Sequence, residues 1–357
     1  MAKILIVRMG AFGDILHALP AVTGIRAALP DATIGWLVED NWSELLVAQG
    51  TMSSGSELSA QKPVVDLVHS VNTRRWRRRM YDPATAREAV GVIKNIRAAG
   101  YDAALDFQAN VKSAVFAAMS RAPMHAGFSD PRERLAGLFY SQQFPRESEH
   151  VVEQNHSLAA QALHTYLGSA ELTLPAPQLP RDAASEAWVE AEIKKLGIAS
   201  FAIVNPGAGW GGKQWPAERF GEVAKALARH NLKTLVNFGP GEKGLAETVV
   251  RASDGSGFPV GCTVGQLIAL TRRARILIGG DTGPLHLAAA LGVPVVGLYG
   301  PTDPARTGPF GTQSITLRHP DSETTFSHHR RPDEGLLKIE AQDVIAAARQ
   351  LLGSSHA

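Results

Sequence analysis

Four stretches of this chain combine residue types and spacings that could do chemistry. The fullest is RILIGGDTGPLHLAAALGVPVVGLYGPTDP, residues 275–304. Residues 275–279 form an apolar run that predicts a short buried strand, broken by glycines 279 and 280. Asp281-Thr282-Gly283 then opens a helix that runs to Leu291. Asp281 or Thr282 can cap it, Pro284 suits its first turn, and Gly292-Val293-Pro294 stops it. Residues 295–298 read as a second buried strand, so the unit is strand, glycine turn, helix, strand, as in a parallel sheet. A helix N-terminus reached through small residues offers unpaired N–H groups and partial positive charge, which outlines a phosphate or diphosphate site. His286 falls in the first turn, within reach of such a ligand. An ordinary capped helix with a surface histidine has the same local sequence.

The other three stretches are shorter. Residues 10–14, GAFGD, follow a predicted strand over 3–9 and precede a helix over 15–29. Asp14 is there either as a helix-start acid or as a catalytic carboxylate. The turn has two glycines but not the G-x-G-x-x-G spacing of dinucleotide enzymes, which counts against a nicotinamide oxidoreductase. Residues 205–216, NPGAGWGGKQWP, link a strand over 201–204 to a helix beginning at Pro216. Lys213 in that glycine-rich loop suggests anion binding, although the P-loop spacing is missing and a surface lysine is the plain alternative. Glu242 follows the strand 232–238 and is either a helix-start acid or an acceptor for ribose hydroxyls. Finally, residues 73–79, TRRWRRR, place five arginines around one tryptophan. That is either a solvated charge run or a clamp for a polyanion, and it does not by itself separate nucleic acid from anionic lipid or sugar.

The elements that must position these groups alternate as an α/β chain does. Further helices are predicted over 82–99, 110–120, 149–167, 264–273 and 339–352, and further strands over 32–38, 64–71, 101–107 and 314–318. Gln108 and Lys112 lie just past the end of the 101–107 strand, where open α/β sheets bind ligands. Pro175, Pro177 and Pro180 mark a domain boundary, and 357 residues suit two domains. The serines at 53–56 predict a loop. A hydrophobic content of 45% supports buried cores, and the single cysteine, Cys262, excludes a disulfide framework or cysteine metal cluster. The opening MAKILIVRMG is apolar over too short a run for a secretory leader, and no run is long enough to span a membrane. A soluble, cytoplasmic protein is expected. The formal net charge is only +2, so the basic character is local. His328-His329, without a cysteine pair or an H-E-x-x-H helix, makes a poor start for a zinc enzyme.

Three separated stretches, MGAFGDILHALPA, GAGWGGKQWP and GGDTGPLHLAAALGVPVVGLYGPTDP, together resemble the ADP-heptose:lipopolysaccharide heptosyltransferases. The RRWRR segment, FQANVKSA and PRERLAGLFY are more similar to the type I lipopolysaccharide heptosyltransferases than to the second type. The resemblance implies a GT-B fold of two Rossmann-like α/β domains. These would be an acceptor-binding domain over 1–178 and an ADP-sugar-binding domain over 179–335, with a C-terminal helix in 336–357 packing back towards the first. It implies an inverting, metal-independent transfer of L-glycero-D-manno-heptose from ADP-heptose to a Kdo residue of lipid A. The chain contains no D-x-D motif, the metal-holding pattern of the other large glycosyltransferase fold.

By matching position, Asp14 is then the base and Lys213 the group that steadies the leaving ADP. The donor site takes in Ala208, Gly209, Glu242, Asp281, Thr282, Gly283 and His286. Arg74, Arg75, Arg77 and Arg78, joined by Lys112 and Arg132, would meet the acceptor's carboxylates and phosphates. Some relatives carry hydroxyl residues where this chain has Ala208 and Gly209, so backbone N–H groups would do that work here, with Trp210 packing on the donor. Neither a metal nor a nucleic-acid partner is expected, and contact with the membrane would be peripheral, at the cytoplasmic face of the inner membrane. The alternatives are a related transferase using another sugar nucleotide or acceptor, and a non-catalytic polyanion-binding protein.

Overall fold

The computed structural model describes residues 1–50, 58–168, 171–325 and 331–354. The expected serine loop at 53–56 and His328-His329 lie outside them. The chain divides into two compact units, Met1–Asp182 and Ala183–Ala357. Each is built on a six-stranded sheet in which every neighbouring pair is parallel.

In the first unit the strands are β1 (Lys3–Val7), β2 (Thr33–Glu39), β3 (Leu67–Val71), β4 (Ala103–Asp106), β5 (Met124–Phe128) and β6 (Gln142–Phe144). Their order is β3-β2-β1-β4-β5-β6. In the second they are β7 (Phe201–Asn205), β8 (Lys233–Phe238), β9 (Gly257–Gly261), β10 (Ile276–Gly280), β11 (Val295–Tyr299) and β12 (Ser314–Arg318), in the order β12-β11-β10-β7-β8-β9. Numbered within its own unit, the second order is the first again. Both are the doubly wound arrangement, whose ligand crevice lies where strand order reverses. That point falls between β1 and β4 in one unit and between β7 and β10 in the other. Strands flanked by helices on both faces are apolar throughout, and β1, β7, β10 and β11 are accordingly almost wholly buried.

Several expectations need correction. The first strand stops at Val7, so Arg8 and Met9 lie beyond its end. The arginine run is a short helix, Thr73–Arg78, capped by the Asn72 side chain. Strands β5, β6 and β9 and the helix Ala183–Leu196 escaped the apolar-pattern reading, β6 because it is three residues long and largely exposed. The division falls at 182/183 instead of 178/179. The C-terminal helix Ala341–Ser354 does not stand apart. Val344, Ile345, Ala348 and Leu351 bury themselves with Ile276, Ile278, Val296 and Leu298 in the second unit's own core. Burying a valine, isoleucine or leucine side chain contributes about 1.5–3 kcal/mol, and three of these tie the helix to that sheet.

Candidate active site

In the first unit the end of β1 feeds the helix Phe12–Ala28, and Asp14 sits in its first turn. Its two oxygens are held from different directions. Ala11 N–H donates to Oδ2 at 2.9 Å, and the Arg8 guanidinium lies 2.9 Å from Oδ1. The Arg8 side chain is 10% exposed and the Asp14 carboxylate 44%, so the buried cation braces an acid that still faces solvent. The other arm of Arg8 donates to the Phe107 carbonyl, just past β4. Arg8 thus links the two strands that flank the switch point.

The loop after β4 is shaped by Asp106, which is completely buried. It accepts from the hydroxyls of Ser113 and Tyr140 at 2.7 Å each and from the N–H groups of Gln108 and Ala109. Burial pushes its pKa up, and those four bonds oppose the rise. Gln108 in turn accepts from Met9 N–H at 2.8 Å, tying the β1 and β4 loops a second time.

Lys112 is already engaged. Its ammonium donates to the Thr73 hydroxyl at 2.9 Å, and Thr73 donates to Glu39 from both its hydroxyl and its N–H. Arg75 pairs with Glu88 of the next helix. Arg74, Arg77, Arg78 and Arg132 are exposed, and none of them pairs with a carboxylate among the described residues. The first unit therefore offers exposed arginines, with Lys112 and Arg75 held in internal pairs.

In the second unit the loops after β7 and β10 meet. Lys213 ends a short turn, Gly211–Lys213, and reaches Asp281 Oδ2 at 2.6 Å and the Asp281 carbonyl at 3.2 Å. His286 donates to the other carboxylate oxygen at 2.8 Å. Asp281 and His286 are both buried. Burial alone would raise the Asp281 pKa, but the bond and charge of His286, followed by those of Lys213, outweigh it and hold the carboxyl well below its usual range. His286 therefore buttresses Asp281 from within the fold. An ammonium has three protons to donate, and Lys213 spends two on Asp281.

Thr282 caps the helix Gly283–Ala290 through its extended backbone, with its hydroxyl turned to Gly280 O at 3.2 Å. The N–H groups of Thr282 and Gly283 make no hydrogen bond among the described residues, and Pro284 has none to give. Ala208 and Gly209, half-buried and exposed respectively, present backbone only on the facing loop. Glu242 accepts from Gly239 N–H at 2.8 Å. Its carboxylate lies so close to Gly207 that any Cβ there would push it out of this position. Trp210 stands over Gly212, and the Lys213 ammonium lies 5.7 Å from its ring centroid.

Two buried asparagines escaped notice in the sequence. Asn237, at the end of β8, donates to Asn205 at 2.7 Å, and Asn205 donates to Gly207 O and to the Thr282 hydroxyl. Asn205 opens the NPGAGWGGKQWP stretch without standing out in it and Asn237 lies in no motif; only the sheet order makes them neighbours. Among the described residues no group of three or more His, Cys, Asp or Glu is placed to hold a metal ion.

A doubly wound sheet in each unit and a lysine-bearing loop opposite a helix N-terminus are the parts an anion-binding α/β enzyme would use. The sequence profile of glycosyltransferase family 9 (heptosyltransferase) matches residues 90–335, and the chain belongs to that family. Lipopolysaccharide heptosyltransferase 1 of Escherichia coli is 28% identical over 353 residues, covering 96% of this chain and 98% of that protein. The Pseudomonas aeruginosa protein of the same name is 27% identical over 319 residues, covering 88% and 83%. Among solved structures, E. coli heptosyltransferase WaaC with ADP-2-deoxy-2-fluoro heptose aligns over 99% of each chain, with a TM-score of 0.73 at 25% identity. A family 9 glycosyl transferase from Veillonella parvula aligns with a TM-score of 0.80 at 23% identity, covering 99% and 98% of the two chains.

Proposed function

We propose that this glycosyltransferase moves L-glycero-D-manno-heptose from ADP-heptose onto a Kdo residue of the lipid A inner core, with inversion and without a metal. The observation that carries the donor half is the convergence of the Lys213 ammonium with the free N–H groups of Thr282 and Gly283. Together they supply the donors a diphosphate needs. Glu242 is the acceptor for ribose hydroxyls, and Asp281, fixed by His286, holds Lys213 in place.

Inversion takes one in-line step. The acceptor oxygen bonds to the anomeric carbon as the bond from that carbon to the phosphate oxygen breaks. Asp14 takes the acceptor's hydroxyl proton, and ADP leaves with the bonding pair. The charge that gathers on ADP is met by Lys213 and the helix N-terminus, where a single donor is worth about 2.7–4 kcal/mol of barrier. Arg74, Arg77, Arg78 and Arg132 bind the acceptor's anionic groups, with Arg75 and Lys112 joining them by exchanging Glu88 and Thr73 for the ligand. A lipid acceptor places the enzyme at the cytoplasmic face of the inner membrane. No helix among the described residues is long and apolar enough to cross a membrane.

The test is ADP release from ADP-heptose, with and without Kdo-lipid A, in the presence of EDTA. Release that requires the acceptor and ignores EDTA supports the reading. Release abolished by EDTA removes the metal-free mechanism, and no release from protein that still binds ADP removes this donor and acceptor pair.

A further inference from the structure

Two exposed segments of the first unit flank one helix, and both mix arginine with bare apolar side chains. On one side is the end of the arginine helix Thr73–Arg78, followed by Met80 and Tyr81, which are 64% and 93% exposed. On the other is the 3-10 helix Arg134–Phe139, with Leu135 and Leu138 at 64% and 79% exposed. Three residues complete a 3-10 turn, so Leu135 and Leu138 project in the same direction.

The helix Val111–Met119 joins the two. Trp76 packs towards its Phe116, with ring centroids 6.4 Å apart, and Lys112 bonds Thr73 at 2.9 Å. From the other side Ala136 clusters with Ala114, and Glu133 accepts from Val111 N–H at 2.9 Å.

The charge around these four apolar side chains is predominantly positive. Arg74, Arg77, Arg78 and Arg79 lie on one flank and Arg132 and Arg134 on the other, all exposed. The nearby carboxylates are already used: Glu88 pairs with Arg75, Glu133 holds Val111 N–H, and Asp82 caps the next helix. Phosphate recognition explains the arginines but gives no reason to leave two leucines, a methionine and a tyrosine in water. A surface that takes up both is the interfacial zone of an anionic bilayer, where apolar tips enter between acyl chains and arginines stay at headgroup level.

We propose that these two segments form a bilayer-docking surface, with Leu135, Leu138, Met80 and Tyr81 entering an anionic leaflet. The proposal goes beyond the reaction assigned above and does not depend on which sugar is moved.

The experiment is flotation of the full chain with vesicles that contain no glycosyl acceptor. One set is phosphatidylcholine alone and the other is phosphatidylcholine mixed with phosphatidylglycerol. The chain should float with the mixed vesicles and not with the neutral ones. The Leu135→Ser/Leu138→Ser and Met80→Ser/Tyr81→Ser double variants should each weaken that binding by about tenfold or more, with ADP binding unchanged as the check on folding. Indifference to lipid charge, absence of binding to both sets, or serine variants that bind as the parent does would overturn it. So would self-association of the parent that the leucine variant abolishes without any vesicle binding, which would give the surface to a second copy. Because no acceptor is present, failure here leaves heptose transfer standing, and failure of heptose transfer leaves vesicle binding to be read alone.

Discussion

The two units place an aspartate near the same point of the same sheet order and use it in opposite ways. Asp14 follows β1 and Asp281 follows β10, each beside the reversal in strand order. Asp14 has one buried arginine on one oxygen and an N–H on the other, and its carboxylate is 44% exposed. Asp281 has a histidine on one oxygen and a lysine on the other, and it is 5% exposed. A carboxylate that must accept a proton from a ligand has to keep a lone pair in the open. One that only places a cation is best buried against it, because a buried and hydrogen-bonded pair fixes geometry more firmly than an exposed one. Under the proposed reaction, the difference suits Asp14 to proton transfer and Asp281 to holding the lysine that meets the anion.

The sharpest way to break that comparison is to neutralise each acid in turn. Asp14→Asn keeps the size and the Arg8 contact but removes the basic oxygen. It should cut kcat by about 10²–10⁴-fold with ADP affinity unchanged. Turnover near that of the parent would remove Asp14 as the base. Asp281→Asn removes the negative charge opposite Lys213 and leaves one acceptor oxygen for two donors, Lys213 and His286. It should cost about 10²–10³-fold in kcat and, unlike Asp14→Asn, weaken ADP binding measured by calorimetry. If the two variants moved ADP affinity equally, the division of labour would be wrong.

A finer test concerns Arg8, which braces Asp14 from below. Arg8→Gln loses the contact to Asp14 Oδ1 and the bridge to Phe107. It should lower kcat by about tenfold through misorientation of the carboxylate, with the KM for donor unchanged. Arg8→Lys, which restores the charge, should recover part of the loss. A fall in donor affinity would instead make Arg8 part of general stability.

Much of this arrangement can be read from local sequence, and the unread part has a common cause. The glycine turn, the helix start at Gly283, Lys213 in its loop and Asp14 at a first turn are each fixed by residues within a few positions of one another. Arg8 is not. It looks like the tail of an apolar strand, and its acceptor at Phe107 is 99 residues away. Asn205 and Asn237 become partners only once β7 and β8 are known to be neighbours. Arg75 and Lys112 carried the right charge for an acceptor clamp, yet their engagement with Glu88 and Thr73 depends on how three helices pack. The profile match over 90–335 covers the Asp281 site but leaves out Asp14 and the arginine helix, so those assignments rest on the resemblance carried by MGAFGDILHALPA and RRWRR together with the local geometry.

A last comparison separates the two units by stability instead of activity. His69, on β3, contacts the Tyr101 hydroxyl at 2.7 Å, whereas His286 in the other unit is bonded to a carboxylate. Burial lowers the His69 pKa from 6.5 to about 4. Between those values the unfolded chain binds a proton that the folded one refuses, so unfolding gains as pH falls. The contribution is complete above about pH 6.5 and is lost progressively towards pH 4, amounting to about 3 kcal/mol at most. The urea midpoint of the first unit, followed by hydrogen exchange of β1 to β4, should therefore drop between pH 7 and pH 4.5. His69→Gln keeps a hydrogen-bonding side chain for Tyr101 but cannot take up the proton, so its midpoint should fall less over the same range. Equal falls in parent and variant would move the acid sensitivity to other groups; the buried Asp106 is not one of them, because burial raises its pKa and acid then favours the folded state through it.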